Sequence, residues 1–139
     1  MKKFTFELEK VLEFRNFEKE QAEGELSKAL AVENEINNNL KTIAQQYAAV
    51  KASMKGSKDF QDVMAQSRYN NLLEYQKEEL LKQLAEAKLV TEQKREVLRE
   101  CMKKTTALEK LHDKKLEDWK QAEDYEEAEL LDEVKNKLR

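Results

Sequence analysis

From Leu8 onward the apolar residues of this chain recur in alternating steps of four and three. The series runs Leu8, Leu12, Arg15, Lys19, Ala22, Leu26, Ala29, Glu33, Ile36, Leu40, Ile43, Tyr47, Val50 and Met54 without a break. Only Arg15, Lys19 and Glu33 are polar, and a phase held over so many turns is the mark of a coiled-coil helix. A second series is more polar but keeps its phase: Val63, Gln66, Asn70, Leu73, Lys77, Leu80, Leu84, Ala87, Thr91, Lys94, Leu98, Cys101, Thr105 and Leu108. The spacing predicts one helix over about 5–54, a turn over about 55–59 and a second helix over about 60–137.

The two series also predict a pairing. Val50 set against Val63, Ile43 against Asn70, Leu40 against Leu73, Ala29 against Leu84 and Leu26 against Ala87 give one constant antiparallel register. Its centre falls between Gly56 and Ser57, within Lys55-Gly56-Ser57-Lys58-Asp59, the one strongly turn-like stretch of the sequence. Seam and turn are independent features, and both indicate an antiparallel αα-hairpin. The expected fold is all-α: a long two-helix coiled-coil hairpin, a single domain over 1–139, with a longer C-terminal helix that overhangs its partner. Some layers match badly. Lys19 meets Lys94, Ile36 meets Lys77 and Arg15 meets Leu98, polar layers that weaken the pair and bear on its register. Gly24 interrupts the first helix at a cost of roughly 1 kcal/mol relative to alanine, and is read as a tolerated surface position.

In that register Phe4 lies opposite Glu109, and the second helix has no partner beyond about residue 112. The remainder is roughly 42 Å of helix at 1.5 Å per residue. Isolated helices of this size are marginal in water without ion pairs or a partner. The stretch WKQAEDYEEAELLDE, Trp119 to Glu133, begins the question of what covers it. Its end carries a stripe of Leu131, Val134 and Leu138, with Leu116 and Trp119 farther back, enough for a docking surface and too little for a core. Fraying, pairing with a second copy and insertion into another protein are the readings open at this point. A second set lies off the seam. Tyr69, Leu72, Tyr75 and Gln76 on the second helix, with Leu40, Ala44 and Tyr47 on the first, either form an exposed side patch or widen the core beside Gln66 and Asn70.

Composition separates helix from globule and excludes several functions. Charged residues make up 40% and aromatics 7%, glycine occurs twice and proline never, which fits long helices better than a compact domain. The net charge of −3 lacks the basic face that a nucleic acid needs. Acid collects at the C-terminal end, where residues 110–139 hold 7 basic and 10 acidic groups. The opening MKKFTFELEKVLEF has no apolar h-region, and no run of residues is apolar enough to span a bilayer, so a cytoplasmic setting is expected without membrane insertion. The single cysteine, Cys101, has no intrachain disulfide partner and occupies a seam position. Neither Gly24 nor Gly56 begins a phosphate-binding loop, and His112 has no companion ligand for a metal. Catalytic residues, cofactors and metals are therefore not expected, and the protein is read as a non-enzyme.

The opening FTFELEKVLEFRNFEKEQAEGELSKA resembles the N-terminus of FliJ-type flagellar export proteins. The likeness rests on Phe4, Phe6 and Leu8, on Val11, Leu12 and Arg15, and on Ala22 with Leu26. The closing LEKLHDKKLEDWKQAEDYEEAELLDEVKNKLR is similar to that family's C-terminal stretch, with its acidic end at Leu131, Asp132 and Glu133. The resemblance implies a two-helix coiled coil similar to the stalk of the rotary ATPases' γ subunit. It implies partners in flagellar type III export: a hexameric export ATPase, a membrane-embedded export gate and substrate chaperones. The implied location is peripheral to the inner-membrane export apparatus. On that basis Trp119, Tyr125, Leu130, Leu131, Asp132, Glu133, Val134 and Leu138 are the expected ATPase-ring contact. Leu40, Ala44, Tyr47, Tyr69, Leu72 and Gln76 are the expected gate contact. The equivalent stalk of a virulence type III secretion system, or a structural scaffold whose tail dimerises, would share the same fold.

Overall fold

A computed structural model describes residues 2–56 and 59–138. Helix α1 runs Glu9–Ser53 and helix α2 runs Phe60–Lys137, and the described residues are 91% helical. The two helices pack against each other as an all-α antiparallel hairpin, as the seams predict. The contacts divide into two units, one formed by residues up to Ala22 and from Leu98 on, the other by Glu23–Val97.

In the Glu23–Val97 unit the core follows the predicted α1 series. Ala29, Ile36 and Ile43, one per heptad, are buried, while Leu26, Glu33, Leu40, Tyr47 and Val50 are half-buried between them. From α2 come Leu73, Ala87 and Thr91, with Leu73 only 1% exposed. Gly56 ends the first arm with φ +88°, a left-handed conformation that costs a side-chain-bearing residue about 1–2 kcal/mol. Asp59 caps α2: its Oδ1 accepts the Gln61 amide at 3.0 Å, satisfying one of the donors that a helix start leaves bare. Ser57 and Lys58, part of the expected turn, lie outside the described residues.

The register differs from the expected one by a heptad. Tyr47, expected opposite Gln66, donates instead toward the Asn70 carbonyl and the Glu74 carboxylate, both at 3.0 Å. A heptad seam shifted by one repeat looks the same, so spacing alone leaves this choice open. The shift repairs the poor layers. Lys94 lies 3.9 Å from Glu25 instead of meeting Lys19, and Glu33 accepts a hydrogen bond from Thr91 at 2.5 Å. Lys77 is exposed rather than set under Ile36. Phe60 and Val63 stay 75% and 48% exposed, so the expected Val50–Val63 layer is absent.

The other unit has a thinner interior. Ala22 and Thr105 are its buried members among the described residues, flanked by half-buried Leu12, Arg15, Lys19, Leu98, Cys101 and Leu108. Thr105 lies 2.9 Å from the Cys101 carbonyl and 3.3 Å from that of Arg15, so its hydroxyl links α2 to α1. Gly24, on α1 in the Glu23–Val97 unit, has no neighbour within 4 Å of the place a Cβ would take, in accord with a surface glycine.

Candidate functional site

Residues 2–6 are not helical, and α1 begins only at Glu9, whose amide bonds the Phe6 carbonyl at 3.1 Å. The sequence explains this locally. Continued backward from Leu12, the helical seam would take Leu8 and then Thr5, leaving both phenylalanines off it. An extended backbone instead turns residues i and i+2 to one side. Phe4 and Phe6, two apart in this non-helical segment, both reach α2. Phe4 packs against His112 with ring centroids 5.6 Å apart and against Trp119 at 5.9 Å. Phe6 meets His112 edge-on at 5.1 Å. These separations and tilts are the favourable ones for aromatic pairs. His112 Nδ1 also lies 3.2 Å from the Asp113 carboxylate.

The N-terminal segment thereby extends the covered part of α2 farther than expected. Phe4 was expected opposite Glu109, with α2 bare from about residue 112. The aromatic cluster instead carries cover to Trp119, and half-burial continues to Glu123. Between segment and helix lies a recess of about 500 Å³, lined by Phe4, Phe6, Leu8, Leu111, Lys115 and Trp119 among others. The signal for this cluster was the F-x-F alternation, which a search for helical periodicity passes over.

From Asp124 to Leu138 every residue is exposed. Of the expected ring-contact set, Trp119 alone is half-buried. Tyr125, Leu130, Leu131, Val134 and Leu138 are 66, 61, 59, 52 and 82% exposed, and Asp132 and Glu133 are exposed beside them. Between Gln121 and Glu133 the helix carries seven acidic residues (Glu123, Asp124, Glu126, Glu127, Glu129, Asp132, Glu133) and no basic one. The result is an apolar stripe within an anionic surface.

The second expected set is divided between two grooves. Leu40 and Ala44 line one with Asn34, Asn37, Asn38 and Lys41 of α1. Gln76 lines another with Tyr75 and Leu80 of α2 and Asn39, Ile43 and Gln46 of α1. Tyr69 and Leu72 share the Gln76 face of α2 by their spacing and are 37% and 51% exposed. Tyr47 is half-buried and engaged with Asn70 and Glu74. Loss of water around the hydroxyl, then the Glu74 carboxylate as bond partner and as charge, push its pKa above the ordinary 10.0.

The described residues include no group of His, Cys, Asp and Glu placed to hold a metal ion. No described helix is long and apolar enough to cross a membrane. The model described as Flagellar FliJ protein matches residues 4–138, nearly the whole chain. The chain belongs to the FliJ family. Neither a curated protein nor a solved structure matches it. Membership makes it a flagellar, type III export-related coiled-coil protein, and the FliJ family is a non-catalytic component of that system. Its partners accordingly belong to the export apparatus.

Proposed function

We propose that this chain acts as a central stalk of the flagellar export ATPase. Its α2 tail enters the hexameric ring, promotes ring assembly and activity, and links the ring to the export gate and to substrate chaperones. One observation carries the reading: α2 continues through residues 124–137, every residue from 124 to 138 is exposed, and Leu130, Leu131, Val134 and Leu138 among them are apolar. A helix of that length with a bare apolar stripe gains stability from a partner. The stretch from Glu123 to Glu133 has seven acidic residues and no basic one, which disfavours a second copy along the same stretch, since like charges would face each other. It favours a basic lining instead.

The mechanism needs no chemistry from this chain. A single asymmetric helix contacts six ring subunits unequally and so stabilises some of their states over others. Trp119, Tyr125, Leu130, Leu131, Asp132, Glu133, Val134 and Leu138 form the ring contact in this proposal. For the gate, Tyr69, Leu72 and Gln76 on one face of α2 are one candidate surface, and Leu40, Ala44 and Tyr47 the other. The protein would work in the cytoplasm, peripheral to the inner-membrane apparatus.

The test is ATP hydrolysis by the cognate export ATPase, with this protein added whole or ended after Glu123. The described residues removed by the cut are all exposed, so the hairpin should be retained. Stimulation by the whole chain and not by the shortened one is expected. Equal stimulation by both would overturn the assignment of the tail.

A further inference from the structure

We infer that residues 2–8 are a displaceable strap, an autoinhibitory contact that covers Trp119 until the partner of the tail takes its place. The inference rests on the stalk reading and adds regulation to it. Phe4 stands against the indole of Trp119 and the imidazole of His112, and Phe6 against His112. Trp119 is thus the one member of the ring-contact set that is already partly covered within its own unit.

The strap is held by those rings and little else. Among the described residues, Lys2, Lys3, Phe4 and Thr5 make no hydrogen bond or ion pair, and the first backbone bond is accepted by Phe6. An open recess of about 500 Å³ is lined by both the strap and α2, so the two do not close fully on each other. A contact made of a few tilted and edge-on rings beside an open recess is exchangeable, because an entering apolar side chain offers Trp119 the same dispersion and removes more of its surface from water. Leu130, Leu131 and Leu138 are bare, so a partner seats on them first and reaches Trp119 only after Phe4 leaves. While the strap is closed, apparent affinity is lowered in proportion to the open fraction.

The test uses the full chain, Phe4→Ala/Phe6→Ala, and Leu130→Ser/Leu131→Ser/Leu138→Ser, each checked for helicity. Trp119 is the sole tryptophan, so its emission and acrylamide quenching report the strap directly. Removing the phenyls should shift emission to the red and raise quenching. It should also lower, by about threefold or more, the concentration that half-saturates stimulation of the ATPase. If the double alanine variant loses helicity, deletion of residues 2–7, which lie outside α1, replaces it. Unchanged quenching, or a half-saturating concentration that stays level or rises while the tail variant is inactive, would overturn the strap and leave the stalk reading intact. No stimulation by any chain, with an active ATPase, would overturn the stalk reading and the regulation built on it.

Discussion

Leu73→Ala should be the most costly single truncation in the Glu23–Val97 unit, and its neighbour supplies the control. Leu73 is 1% exposed and Leu72 is 51% exposed, although the two are adjacent and chemically identical. Truncating a buried leucine costs about 2–5 kcal/mol, the lower part applying where surrounding side chains relax into the gap. A two-helix interface relaxes readily, so about 2–3 kcal/mol is expected at Leu73. At Leu72 the cost should stay within about 0.5 kcal/mol. With a urea slope of about 2 kcal/mol/M, the Leu73 variant should unfold roughly 1–1.5 M earlier, followed by circular dichroism at 222 nm. Val63→Ala belongs in the same series. The register expected from spacing packs Val63 against Val50, whereas the structure leaves it 48% exposed, so its truncation should also cost less than about 0.5 kcal/mol. A Leu73 variant no worse than Leu72→Ala would refute the packing, and a Val63 variant that costs more than about 1 kcal/mol would refute the register.

Tyr47→Phe tests the hydroxyl that joins α1 to Asn70 and Glu74. Its folded pKa is raised, so the native state holds the proton more tightly than the unfolded chain; the hydroxyl's stabilisation is full below pH 10.0 and lost as pH climbs through the folded pKa. The melting-temperature gap between wild type and Tyr47→Phe should therefore be present at pH 8 and shrink in strongly alkaline buffer, and a gap that widens would contradict the arrangement. The two glycines should answer alanine in opposite directions. Gly24→Ala fills open helix surface and should stabilise by about 0.5–1 kcal/mol, while Gly56→Ala forces a Cβ into a left-handed backbone and should cost about 1 kcal/mol or more, both read from thermal melts. Thr105→Val keeps volume but removes the hydroxyl from between the Cys101 and Arg15 carbonyls, and should cost about 1 kcal/mol in the same melts.

Much of the hairpin was legible because a coiled-coil seam is a one-dimensional pattern. The α1 series from Leu12 to Met54 matches the buried and half-buried residues position for position, and the α2 series departs from it only at Val63 and Lys77. Register was legible only as a warning: a shift by one heptad keeps every seam residue on the seam, the badly matched Lys19–Lys94 and Arg15–Leu98 layers told against the expected choice, and contacts such as Tyr47 with Glu74 decide it. The bare tail was visible as acid without enough apolar residues for a core. Its starting point was not, because the cover over His112 and Trp119 comes from a non-helical segment whose two-residue alternation carries no helical signal. The side patch divided for a similar reason. Residues such as Ala44 and Gln76 lie near the same level along the helices, but only the rotation of each helix about its axis decides which groove each one lines.

The sparse interior formed by Ala22 and Thr105 has a consequence for how the backbone breathes. Small side chains exclude little water, so the helical hydrogen bonds around them are sealed by few apolar atoms, whereas Leu73, Ile36 and Ile43 seal theirs well. Amide hydrogen exchange should therefore be graded. Protons near Ala22 and Leu98–Leu108 should exchange through local opening, and those near Ile43 and Leu73 should exchange only when their whole unit unfolds. If exchange is graded in this way, the unit formed by residues up to Ala22 and from Leu98 on should open at lower free energy than the helices around Leu73.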